Sequence, residues 1–249
     1  MDRKYWEKIA PSYNEEIFDV LHNDKKELIR SAIKKFSSKR KTVLDIGCAV
    51  GKWIPVLSPL FKKVYALDIS AKNLDIARKN HASFSNVNYL RADMSDGKTK
   101  IPRCDVAICI NAILTDSLKK RIAFFRALPR CLKKGGYLIL TVPSLESSLL
   151  TRIINNQFRI ESSGPNKKIS TSKVWKKWNH LVQGNVEIDN VPTKHFLKEE
   201  LQFLLKNEGF LIEDIQKIEY TWETEFNDPP EWLKDPYPWD WMVLAQKIK

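Results

Sequence analysis

Glycine is scarce in this 249-residue chain, with 8 residues, under half of the usual share of roughly 7%. Each glycine is therefore expected where the backbone demands one. Long apolar runs are absent: no stretch approaches the roughly 18 residues that a membrane helix needs, so no transmembrane span is expected. The opening MDRKYWEKIA has no apolar core, so no signal peptide is expected. Cysteine pairs are absent too. Cys48, Cys104, Cys109 and Cys131 show no C-x-x-C spacing and lie in apolar or amphipathic segments. That pattern predicts reduced structural thiols in a cytoplasmic protein and no metal site. There is no internal repeat and no low-complexity segment.

Hydrophobic residues at 43% and charged residues at 29% exclude a disordered chain. The length allows one large domain or two small ones. The net charge of +12 is uneven. Residues 1–41 carry net +4, 42–145 net +10, 146–196 net +4, and 197–249 net −6. A basic body could favour an anionic partner. However, its largest share falls in a segment whose Lys and Arg are predicted on outer helix faces, such as 118–134, which makes it a weak argument for nucleic acid.

Apolar residues from Ile17 to Phe36 recur at helical spacing and predict a helix over 12–36. Beyond SSKRK (37–41), short apolar runs alternate with amphipathic segments. Strands are expected at 42–46, 63–69, 87–93, 104–111 and 137–142, and helices at 51–60, 71–80 and 116–133. Gly135-Gly136 reads as the C-cap of the last of these. Such alternation predicts a parallel sheet covered on both faces. Residues 146–192 read as a basic, polar insertion. A helix over 197–208 follows, with Thr193 as its start signal and Gly209 as its stop. Strands at 210–220 and 239–246 complete the pattern.

The most informative segment is VLDIGCAVGKW, residues 43–53. A strand ends in Asp45 and turns through Gly47 and Gly51 into a helix. A turn without bulky side chains lets a ligand lie against backbone N–H groups. The spacing discriminates among ligand classes. A Walker loop needs one more residue between the glycines and a hydroxyl where Trp53 stands. A dinucleotide fingerprint needs glycines where Ala49 and Lys52 stand. What remains is D-x-G-x-x-x-G with a small residue in the middle. Two acids follow at strand ends: Asp68, 23 residues after Asp45, and Asp93. An acid about 20 residues beyond such a turn can accept bonds from both ribose hydroxyls. Asp45 could also cap the following helix turn.

On these residues the chain resembles the class I S-adenosylmethionine (SAM)-dependent methyltransferases, of the small-molecule, quinone-biosynthesis type. The resemblance implies a three-layer Rossmann-like α/β sandwich. Its seven-stranded, mostly parallel sheet has the last strand antiparallel. It implies a single domain, with a helical lid at 1–41, a SAM-binding core at 42–145, a substrate cap at 146–196, and a C-terminal helix and two strands at 197–249. The turn of Asp45, Ile46, Gly47, Cys48, Ala49 and Gly51 would wrap the methionine part of SAM. Asp68 and Ile69 would meet the ribose, and Ala92, Asp93 and Met94 the adenine. Asn111 would lie beside the methionine moiety. YWEKIAPSY (5–13) is similar to the segment preceding this fold, which makes Trp6 and Tyr13 lid residues.

His195 is the candidate general base, or else a plain helix-start histidine. Tyr220 and Trp222 read as packing residues. PNKKISTSKVWKKWNH (165–180) joins five lysines with Trp175 and Trp178. It is either a nucleic-acid contact or a solvated amphipathic helix. The expected function is methyl transfer to a small molecule. RNA methylation, a non-catalytic SAM-binding role and a dehydrogenase stay open as alternatives. The sequence sets no oligomeric state.

Overall fold

The computed structural model describes residues 1–97, 99–161, 171–188 and 191–248. In chain order the elements begin with α1 (Arg3–Ile9), α2 (Tyr13–Glu16), α3 (Val20–Asn23), α4 (Leu28–Phe36), β1 (Thr42–Ile46), α5 (Ile54–Leu57) and β2 (Lys63–Asp68). Next come α6 (Ala71–Asn80), β3 (Val87–Arg91), β4 (Cys104–Ile110), α7 (Leu118–Ala127), β5 (Leu132–Pro143) and α8 (Leu145–Phe158). The chain continues through α9 (Thr171–Leu181), β6 (Asn185–Ile188), β7 (Val191–Lys194), α10 (Lys198–Asn207), β8 (Phe210–Glu219) and β9 (Trp239–Lys247).

Seven strands form one sheet in the order β3-β2-β1-β4-β5-β9-β8, and β6 pairs with β7 in a separate hairpin. The first five run parallel, and β9 lies antiparallel between β5 and β8. This is the expected Rossmann-like sandwich. Because side chains alternate along a strand, one strand feeds two cores. Val43, Val106, Ile108, Ile139 and Met242 pack with Ile29, Ile33 and Phe36 of α4 on one face. Leu44, Ala107, Cys109, Leu138 and Val243 pack with Phe125 of α7 and Leu201 and Leu205 of α10 on the other. Burial on both faces explains why these strands read as continuous apolar runs. The four cysteines are buried and unpaired.

The structure corrects four local expectations. The helix predicted over 12–36 is three helices. Asp19 caps α3, and Asp24 accepts from the N–H groups of Leu28 and Ile29 at 3.0 and 2.8 Å, so side chains restart the helix twice. The helix predicted at 51–60 shrinks to α5, because Gly51 sits at φ +85° before it. Gly135-Gly136 does not cap α7. The helix ends at Ala127 and passes through a 3-10 turn containing Pro129, and the glycine pair lies within β5, where the register with β4 shifts. Thr193 starts no helix, being buried in β7; the backbone N-cap of α10 is Leu197. Gly209 (φ +82°) follows α10 as expected.

Among the described residues, the segment 146–196 holds α8, α9 and the β6–β7 hairpin. Glu146 ties it down. Its carboxylate accepts from the Lys198 N–H at 2.9 Å and from the Trp241 indole at 3.0 Å. Residues 165–170 of the Lys/Trp stretch lie outside the described residues.

Candidate active site

Parallel strands present their C-terminal ends, and the loops that follow them, on one edge of the sheet, where open α/β folds hold ligands. Here those ends carry Asp45, Asp68, Asp93 and Asn111. The turn after β1 is anchored by backbone bonds: the N–H groups of Gly47 and Cys48 both donate to the Leu67 carbonyl, at 2.8 and 2.9 Å. The Ala49 N–H donates to Asp68 Oδ2 at 2.8 Å. Gly47 sits at φ +74°, and a Cβ on it would come within 2.5 Å of the Ala112 Cβ. Position 47 therefore needs glycine twice over.

Two cavities open at this edge. Trp6, Tyr13, Ile46, Gly47, Ala49, Asp68, Ile69, Ala92, Asp93, Met94 and Asn111 all line the first. The second takes in Asp45, Cys48, Lys52, Trp53 and Phe18, with Ile188 and Val191 of the β6–β7 hairpin. Trp6, Tyr13, Gly47, Ala49, Asn111 and Leu114 belong to both. Gly51 lines neither; it lets the backbone pass His81 and Ile54, which a Cβ would meet at 2.8 Å.

The electrostatics of the edge are unusual. Asp45 is buried and its Oδ2 has no partner. Burial first, and the Asp68 charge second, push its carboxyl up to about 8. Burial also raises Asp68, against the Ser70 and Ala49 N–H groups that it accepts from. Asp93 Oδ1 accepts from the N–H and hydroxyl of Ser95 at 2.8 and 2.6 Å.

Asn111 adopts φ +47° and rests on a buried polar cluster. Its amide donates to Asp240 Oδ2 at 2.8 Å, and the Tyr220 hydroxyl donates to the same oxygen at 2.9 Å. Thr141 Oγ1 donates to Asn111 Oδ1 at 3.3 Å. Tyr220 is buried, as a packing residue should be, but it also holds this carboxylate. Asp240 was not foreseeable. It stands 129 positions from Asn111, and nothing local marks it.

The N-terminal segment is fastened over the cavities at two points. Glu7 accepts from the first N–H groups of α6, Ala71 at 2.8 Å and Lys72 at 3.2 Å, where helix N-termini favour a carboxylate. Lys52, directly after the glycine turn, pairs with Asp19 at 2.9 Å and lies 5.8 Å from the Tyr13 ring centroid. The sequence reading missed Lys52, although its place beside Gly51 was a usable signal.

His195 lies behind the cavity wall that Thr193 and Pro143 form. It is buried, its Nδ1 lies 3.0 Å from the Thr193 carbonyl, and its N–H donates to the Gly184 carbonyl at 2.7 Å. Burial pushes its imidazole down to about 4. Phe196, next in the chain, is pinned to the end of β5 by the Pro143 carbonyl and is fully buried. That anchor packs residue 195 against the Gly184 turn, and the histidine lines neither cavity.

A family model described as a methyltransferase domain matches residues 20–212. The probable S-adenosylmethionine-dependent methyltransferase CRG1 of Saccharomyces cerevisiae is 40% identical over 52 residues. That match spans 21% of this chain and only 18% of the yeast protein. Among solved structures, the PH0226 protein from Pyrococcus horikoshii superimposes with a TM-score of 0.63 at 20% identity, covering 99% of this chain and 100% of that one. The DhpI–SAM–HEP complex gives 0.61 at 16% identity, covering 97% and 94%. The N-methyltransferase NodS from Bradyrhizobium japonicum, in complex with S-adenosyl-L-homocysteine, gives 0.62 at 9% identity, covering 99% and 98%. These structures share the fold, and the family model covers most of the sequence. The chain belongs to the methyltransferase-domain family, in its class I form, whose cofactor is S-adenosylmethionine.

Proposed function

We propose that this chain transfers a methyl group from SAM to a small-molecule acceptor, with SAM in the first cavity and the acceptor in the second. The carrying observation is the shared wall of Tyr13, Gly47, Ala49 and Asn111. Two reactants in the two cavities would meet across it.

The residues present fit the cofactor. The first cavity is lined by the Gly47–Ala49 turn and the strand-end acids Asp68 and Asp93, and an unpartnered, buried carboxylate oxygen of Asp45 lies beneath that turn, at the second cavity. In this reading Asp68 and Ile69 hold the ribose. Ala92, Asp93 and Met94 border the adenine, and the Gly47–Ala49 turn the methionine part. When bound, SAM supplies a methyl group already activated by a sulfonium. The chain's own work is then positioning. Trp6 and Tyr13 cover the junction and exclude water, and Asn111 is held rigid by Asp240 and Tyr220. Near-attack geometry alone supplies a large part of such a rate enhancement. No proton step is assigned to His195.

The test is incubation with methyl-labelled SAM and cell extract, then separation into small-molecule, RNA and protein fractions. Label in the small-molecule fraction is expected. Label confined to RNA would replace the acceptor class, and label in no fraction would favour a non-catalytic SAM-binding role.

A further inference from the structure

The cap surface differs from the rest of the molecule. Among the described residues, eight of the sixteen exposed large hydrophobic side chains fall between Leu149 and Ile188. Within α9 and the turn after it, Trp175 (63% exposed), Trp178 (56%) and Val182 (62%) recur at i, i+3 and i+7, with Leu181 exposed beside them. An ordinary surface helix turns that stripe inward. Here it faces solvent.

The charge around the stripe narrows the choice of partner. Residues 162–186 contain five lysines and no Asp or Glu, and Lys173, Lys176 and Lys177 interleave with the tryptophans in sequence. A second copy of the chain would bring the same positive charge against it. RNA would suit the lysines, but Leu181 and Val182 offer no ring for a base to stack on. An anionic lipid surface suits all three features. In general lysine suits anionic headgroups, tryptophan the interface and aliphatic groups the acyl boundary. The stripe also leads to the active site. After the turn at 182–184 the chain enters β6, and its Ile188, itself exposed, lines the second cavity.

We propose that α9 is an interfacial helix that docks the cap on an anionic membrane surface and sets the mouth of the second cavity beside the lipid. Docking is a binding event separate from methyl transfer, so it is tested without the acceptor.

The experiment is co-sedimentation of the whole chain with vesicles of phosphatidylcholine, with and without phosphatidylglycerol. Binding to the anionic vesicles is expected, and it should weaken as salt rises. The paired W175S and W178S substitutions should weaken it about tenfold or more, as should K173E, K176E and K177E together. SAM affinity should be unchanged in both variants. If the tryptophan variant loses SAM affinity, the lysine variant decides. The proposal is overturned by failure to bind anionic vesicles, by binding that neither variant weakens, by concentration-dependent self-association in place of vesicle binding, or by retention of RNA in its place.

Discussion

Burial between Thr193 and the Gly184 turn keeps the His195 ring neutral, and this makes stability depend on pH. In the unfolded chain the ring takes up a proton near its ordinary 6.5, and in the folded chain only near 4. Its contribution is therefore complete above pH 6.5 and is lost as pH falls from 6.5 to about 4, by roughly 3 kcal/mol at most. Asp45 works with the opposite sign. Raised from 3.8 to about 8, it favours the folded state below 3.8 and loses that benefit as pH rises to about 8. Urea unfolding of wild type and His195→Gln across this range separates the two. The difference between the proteins should change between pH 6.5 and 4, and stay flat above. A constant difference would mean that the ring titrates in the fold as it does in the unfolded chain. At this scale the sequence was legible where the chemistry is local. Asp45, Asp68 and Asp93 each end a short apolar run, and the structure sets them round one edge. The burial of His195 was not legible, because its environment is made by Gly184 and Phe196, through contacts that no nearby spacing encodes.

Elements were legible in type and less so in extent. The apolar spacing from Val20 to Phe36 is real, since Val20, Ile29 and Ile33 share one core. Spacing does not reveal the interruption, which belongs to Asp24. Both of its oxygens accept from the first turn of α4. Asp24→Ala should cost about 1–2 kcal/mol, read as a lower urea midpoint with an unchanged slope. The Gly135-Gly136 pair shows a second limit. Glycine marks a demanding backbone position, and Gly135 indeed has φ +74°. A helix end and a strand irregularity make the same local demand. Only the pairing of β5 with β4 and β9 tells them apart.

Across the whole molecule, the succession of strands was legible because β1, β2 and β4 are mostly buried runs, while β3 is a half-exposed edge strand. The polar cluster of Asn111, Asp240, Tyr220 and Thr141 was not, because it joins four strand ends far apart in sequence. Binding that engages several loops at once stabilises the native state as a unit. SAM at a hundredfold excess over its dissociation constant should add about 2.7 kcal/mol, a rise of about 5–10 °C in melting temperature. Asp68→Ala removes the acceptor that holds the Ala49 N–H, and should shrink that rise. An undiminished rise would place the cofactor's ribose elsewhere.

The antiparallel β9 has a consequence for biosynthesis. It pairs with both β5 and β8, so β8 cannot join the sheet until residues 239–247 leave the ribosome. Every other strand from Thr42 onward is made before that can happen. A nascent chain stalled short of Trp239 exposes two unpaired strand edges, and such edges template aggregation. Chaperone demand should therefore persist until residues 239–247 have emerged.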